Sequence, residues 1–130
     1  MSFHIQFETQ VTSYGEGKEI LVYAYYDNHQ IGSCGCFYHP ENADLTIGER
    51  NRLFTVHASY RGMGIGESLG NKLIETAYQM SFPIEPEMFT LAVKPRNVPM
   101  IRLADKLHFW VDLTLSNKNT LTFIRPFVRK

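Results

Sequence analysis

"VHASYRGMGIGESLGNKLIETAYQ", running from Val56 to Gln79, is the stretch on which the reading of this chain turns. Gly62, Gly64 and Gly66 alternate within it and lead straight into an amphipathic pattern. Ile65, Leu69, Leu73 and Ala77 recur at four-residue steps, joined by Ile74 and Tyr78, which predicts a helix beginning near Gly64 with one apolar face. Glycine is a poor helix former, so its concentration at a helix start needs a reason. The segment before it, "RLFTVHA" (52–58), reads as a strand. A strand, then glycines, then a helix N-terminus leaves the first amide N–H groups of the helix unpartnered, at the positive end of its macrodipole. With no Cβ in the way, a phosphate can approach those amides. A tight turn without a ligand would be served by one glycine.

The bulk composition narrows the field. The 130 residues suit one domain with a single core. Thirteen basic side chains balance thirteen acidic ones, which leaves no electrostatic footprint for nucleic acid or an anionic membrane. The basic end "RPFVRK" (125–130) reads as a solvated tail. No run approaches the roughly 20 apolar residues that span a bilayer. "MSFHIQFETQ" has neither the basic nor the apolar region of a signal peptide, so the expected location is the cytoplasm. Cys34 and Cys36 stand two apart on one predicted strand and so share a face. They read as small buried residues, because a disulfide between them would be strained. His4, His29, His39, His57 and His108 show no ligand spacing, and no metal is expected.

The remaining elements follow from periodicity and turn residues. "FHIQFETQV" (3–11) alternates as a half-exposed strand, "SYGEGK" is a turn, and "EILVYAYY" (19–26) is a second strand. "DNHQ" closes a hairpin into "IGSCGCFY" (31–38), while "HPENADLTIGE" (39–49) reads as loop. Two prolines in "SFPIEPE" end the first helix. "MFTLAV", ending at Val93, reads as a buried strand. "NVPMIRLADKL" reads as a second helix with Asn97 as N-cap and Pro99 in its first turn. "FWVDLTL" and "LTFIRPF" form a final strand pair around "SNKN". The class is therefore α+β, with antiparallel hairpins flanking a β-α-β-α centre.

Which phosphate ligand the glycines suit can be narrowed by spacing. A P-loop needs G-x-x-x-x-G-K-[ST], whereas Glu67-Ser68-Leu69 follow the glycines here. A dinucleotide fingerprint from Gly64 needs glycine where Leu69 stands, and Gly70 comes one step late. Arg61-Gly62-Met63-Gly64-Ile65-Gly66 instead matches R/Q-x-x-G-x-G/A and resembles the pyrophosphate-binding signature of the GNAT superfamily of acyl-CoA-dependent N-acyltransferases. "LAVKPRNVPMIRLADKLHFW" resembles that family's second motif, with Asn97 present and "KLHF" where "KLGF" is usual. The resemblance covers residues 49–126.

The resemblance implies a single acyltransferase domain over residues 1–130. Its sheet would be mixed and mostly antiparallel, with a splayed central pair of strands and two main helices. It implies acetyl-CoA as co-substrate and transfer of the acetyl group to an amine of a small molecule or protein. Backbone groups of Phe54, Thr55 and Val56 would pair with the pantetheine arm, and Arg61, Gly62, Met63, Gly64, Ile65, Gly66 and Glu67 would hold the pyrophosphate. Asn97 would contact the cofactor, and the strands ending at Val56 and Val93 would part to admit the thioester.

Two departures stand out. The family's usual glutamate base and tyrosine acid fall on Ala92 and Ala104, which cannot move a proton. Glu49 and His57 are the substitutes of suitable chemistry, with Tyr60 and Asp105 also near in sequence. The family's helices between its first two strands are replaced by "SYGEGK" alone, which leaves the acceptor groove open or completed by a second subunit in a homodimer. Tyr23, Tyr25, Tyr26, Phe37 and Tyr38 are aromatic candidates for its lining. The competing reading is a non-catalytic acetyl-CoA-binding regulatory module, favoured by the two alanines.

Overall fold

The computed structural model describes residues 4–49 and 54–129. In chain order these form β1 (Gln6–Tyr14), β2 (Gly17–Tyr26), β3 (His29–His39), β4 (Asp44–Ile47), β5 (Thr55–Val56), α1 (Ile65–Gln79), β6 (Met88–Val93), α2 (Val98–Lys106), β7 (Trp110–Val111) and β8 (Leu121–Pro126). The strands make one sheet ordered β1-β2-β3-β4-β6-β8-β7, with β5 attached to β3. Among the described residues β4 and β6 are parallel, and every other pair is antiparallel. This is the expected α+β class. No helix among the described residues is long and apolar enough to cross a membrane.

Turn chemistry sets the hairpins. Tyr14 pairs with Gly17, so the first turn shrinks from "SYGEGK" to Gly15 and Glu16, and β1 runs past its expected end at Val11. Gly15 supplies the positive φ (62°) that such a turn needs first. Asp27 and Asn28, both left-handed, close the tight hairpin between β2 and β3.

Three expectations are corrected. Residues 44–47 are a strand, not loop; their partner β6 lies far along the chain (Asp44 opposite Met88), where no local pattern reveals a pairing. Arg52 and Leu53 of the expected strand 52–58 lie outside the described residues, and only Thr55–Val56 is strand. "FWVDLTL" supplies only Trp110–Val111, because Asp112 Oδ1 accepts the N–H groups of Thr114 (2.9 Å) and Leu115 (3.3 Å) and turns the chain.

The core lies on one face of the sheet. Ile20, Val22 and Ala24 of β2, Cys34, Cys36 and Tyr38 of β3, Leu45 and Ile47 of β4, and Phe89, Leu91 and Val93 of β6 are all buried. Ile65, Leu69, Leu73, Ile74 and Ala77 of α1 meet them, as the four-residue steps require. α2 packs beside α1, where a Cβ on Gly70 would come within 2.5 Å of Leu107 Cδ1. The free cysteines Cys34 and Cys36 are buried in this layer.

Arg125 and Arg129 of the basic stretch are bonded to the rest of the fold rather than solvated, while Lys130 lies outside the described residues. Arg129 binds the Glu85 carboxylate (2.8 and 3.0 Å) and donates to the carbonyls of Tyr78 and Met80 (2.6 Å to the latter). It thereby places a cation at the negative end of α1. Arg125 donates to the Leu107 carbonyl at 2.8 Å and ties β8 to the end of α2.

Candidate functional site

The sheet opens where β4 ends. Ile47 pairs with Leu91, so Gly48 and Ala92 are the next residues to leave that parallel ladder together. Beyond this level β5 pairs only with β3 (Val56 opposite Gly32), while Val93 pairs with Leu121 of β8. The strands ending at Val56 and Val93 have therefore parted, as expected. A cavity of about 690 Å³ runs from residues 54–56 to the start of α1 and along α2. Every residue anticipated for the cofactor lines it except Met63, which is exposed.

The glycines of the turn have distinct physical roles. Gly62 and Gly64 have φ of 80° and 78°, a left-handed backbone that side chains rarely adopt, and a Cβ on either would stand in open space. Gly66 lies in the first turn of α1, where a Cβ would meet Leu103 of α2 at 3.4 Å, an ordinary contact. Gly64 is the N-cap and contributes no side-chain bond. Ser68 N–H donates to the Gly64 carbonyl at 3.1 Å, so the amides before it carry no i→i−4 bond. The turn is an uncapped helix start whose left-handed backbone only glycine adopts without strain, and it lines the cavity.

Three cations face the same space: Arg61 before the glycines, and Arg102 and Lys106 on α2. Sequence reading missed the last two, although their four-residue spacing on one helix face was the available signal. Glu67 is the acidic side chain in the first turn of α1. Arg61 Nε donates to the Val56 carbonyl at 3.1 Å. His57 N–H donates to the Ile31 carbonyl (2.7 Å), so the alternation of an antiparallel ladder turns Thr55 toward β3 and the backbone of Val56 to the outer edge, where its carbonyl already accepts from Arg61. Asn97 Oδ1 accepts the Met100 N–H at 3.3 Å and caps α2 at the cavity rim.

The candidates for proton transfer separate. His57 lies outside the cavity lining, its Nδ1 accepting from Ser59 N–H (3.3 Å) to cap a short 3-10 turn at Ala58–Tyr60. Tyr60 lines the cavity and packs against Tyr26 and His57. Asp105 faces a separate cavity beside Trp110 and Phe123. Ala104 is fully buried in the helix layer. Ala92 is exposed, on the sheet face turned away from the helices.

Glu49 follows Gly48, and its Oε2 lies 2.5 Å from His39 Nε2. His39 was not among the sequence candidates, because the pair joins one end of β3 to the residue after β4. Glu41 stands 3.4 Å from the other ring nitrogen of His39. Burial pushes the nearby Asp44 carboxyl above its ordinary value, against the pull of His39 and the Thr46 hydroxyl. The five aromatic candidates divide between faces, since Tyr38 is fully buried toward α1 while Phe37 turns the other way and stacks on Tyr14. They do not line one groove.

A split sheet beside an uncapped, glycine-built helix start with three cations around it is an arrangement suited to a phosphate-bearing ligand. The chain belongs to the acetyltransferase (GNAT) family, whose model matches residues 2–109. No curated protein matches the sequence. Among solved structures, an acetyltransferase from Bacillus subtilis in complex with CoA superposes with a TM-score of 0.72 at 10% identity, covering 96% of this chain and 100% of that one. A ribosomal-protein alanine N-acetyltransferase from Escherichia coli gives 0.67 at 14% identity, over 86% and 71%. RimL, a ribosomal alpha-N-protein acetyltransferase in complex with coenzyme A, gives 0.62 at 16% identity. The alignment covers 83% of this chain but only 62% of RimL. At such identities the likeness is one of fold.

Proposed function

We propose that this chain is an N-acetyltransferase, a single domain over residues 1–130 that passes the acetyl group of acetyl-CoA to an amine by direct attack in a ternary complex. The observation that carries this is the parted pair of strands opening onto the uncapped glycine turn. Acetyl-CoA supplies the acetyl group as a thioester. The amides of residues 62–67 hold its pyrophosphate, with Arg61, Arg102 and Lys106 adding positive charge. The outward-facing N–H of Val56 is offered to the pantetheine arm, and Asn97 closes the rim.

Glu49 is the base. It stands one residue beyond the point where Gly48 and Ala92 leave the ladder, so the adjoining strand supplies the carboxylate that Ala92 lacks. Its task is to take a proton from the acceptor ammonium or from the amine as it attacks. Direct attack is supported by the cysteines. Burial holds both thiols protonated, which suits neither to carry an acyl group. The acceptor is an amine of a protein or a small molecule, and the ribosomal-protein substrates named for RimL and the Escherichia coli enzyme make a free protein N-terminus one class to include.

Ala92 and Ala104 favour a second reading, an acetyl-CoA-binding regulatory module without turnover. The test joins acetyl-CoA affinity by calorimetry to CoA release with a panel of N-terminal peptides, lysine peptides, diamines and aminoglycosides. Binding with amine-dependent release supports the enzyme. Tight binding without release supports the module, and no binding removes both.

A further inference from the structure

The imidazole of His39 bridges two carboxylates that differ in exposure. Its Nε2 lies 2.5 Å from Glu49 Oε2 and its Nδ1 lies 3.4 Å from Glu41 Oε1. The Glu49 side chain is 34% exposed, His39 21% and Glu41 66%, so the line runs from beside the parted strands, under partial cover, and out into water. His39 is held on its own side by Phe37, whose ring centre is 5.0 Å away. Among the described residues, Asp44 on β4 is a further charged neighbour, directly opposite His39 in the ladder. None of these residues lines the cofactor cavity.

We infer that His39 is a positioning residue and proton outlet for Glu49, forming a relay Glu49–His39–Glu41 that returns the base to its ionised state after each turnover. It rests on the reading of Glu49 as base. The acceptor ammonium sheds two protons: one passes from the attacking nitrogen to the departing CoA sulfur, which leaves as the thiol, and the other goes out through Glu49. The latter leaves the acceptor nitrogen for the Glu49 carboxylate. At rest the ring N–H facing Glu49 donates to its ionised carboxylate. Once Glu49 is protonated the ring flips and its free nitrogen takes the Glu49 proton. Its N–H passes a proton to Glu41, and Glu41 gives it to water, which restores an N–H facing Glu49. An imidazole serves here because it can accept on one nitrogen while donating from the other. The same contact fixes the Glu49 rotamer, which a lone glutamate one residue past a strand end would not retain.

The test has a resting-state arm and a kinetic arm. In the resting protein, proton NMR is expected to show a low-field imidazole N–H resonance that disappears in both His39→Gln and Glu49→Gln. With the best acceptor of the amine panel at saturating acetyl-CoA, His39→Ala should lower kcat by roughly ten- to a hundredfold, the scale of a misplaced catalytic group. Its acetyl-CoA affinity by calorimetry should stay unchanged, which also shows the variant folded, and added imidazole should restore part of the rate. Glu41→Gln should fall by less than His39→Ala. A fully active His39→Ala beside an inactive Glu49→Gln, or a low-field resonance that survives Glu49→Gln, overturns the relay and leaves Glu49 as base. A fully active Glu49→Gln overturns the relay and the base together.

Discussion

The two sides of the split sheet are built by opposite means. On the helix side, the cavity is made of backbone: consecutive amides at the start of α1, two left-handed glycines and the outer edge at Val56. On the far side, the titratable groups are side chains from separate places, His39 on β3, Glu41 in a loop, Asp44 on β4 and Glu49 beyond it. A backbone site is rigid because the fold determines it, and it tolerates many side-chain changes. A side-chain site depends on each contact, so single substitutions there should act on rate with little effect on binding.

The largest effect sharpens that contrast. Glu49→Gln should lower turnover by about 10²–10⁴-fold, the usual worth of general base help, while acetyl-CoA affinity by calorimetry stays the same. An equal loss in rate and affinity would merge the two sides into one site. Gly64→Val probes the backbone side: a side chain in left-handed conformation costs about 1–2 kcal/mol, measured by denaturant unfolding, and acetyl-CoA binding should weaken along with it. Unchanged binding in a folded Gly64→Val would remove the amides from the site.

Asn97→Ala removes the cap bond to Met100, which should cost about 1 kcal/mol of stability by thermal unfolding, with a moderate loss of acetyl-CoA affinity. Arg102→Ala and Lys106→Ala should each weaken acetyl-CoA by only a few-fold, roughly the worth of an exposed charge, and the difference should shrink as salt is raised. The smallest effect concerns Cys34 and Cys36, whose burial raises both thiols above their ordinary value of 9.0. Iodoacetamide should leave both unmodified at neutral pH until the chain is unfolded, as read by mass spectrometry. The sign for stability follows: the unfolded chain ionises its thiols first, so this contribution is lost as pH rises past 9.0.

Much of the fold was legible because it is written locally. The α1 stripe of Ile65, Leu69, Leu73 and Ala77 points into the core, and Asn97 caps α2. β4 was not legible, since Leu45 and Ile47 are its only apolar residues and its parallel partner lies far away in sequence. The basic end misled for a related reason. Arg129 looks like a solvated charge until tertiary packing brings the end of α1 and Glu85 to it. Arg102 and Lys106 carried a readable spacing, but which helix face meets the cavity depends on how α2 lies beside α1.

By itself the sequence determined the glycine turn, the helix that follows it and the family these motifs resemble, because contiguous backbone geometry is encoded by contiguous residues. Only the tertiary structure decided that Gly48 and Ala92 leave the ladder side by side and that Glu49 meets His39. Strand register is set by the packing of the whole sheet, and a one-residue slip would turn each of those side chains to the other face.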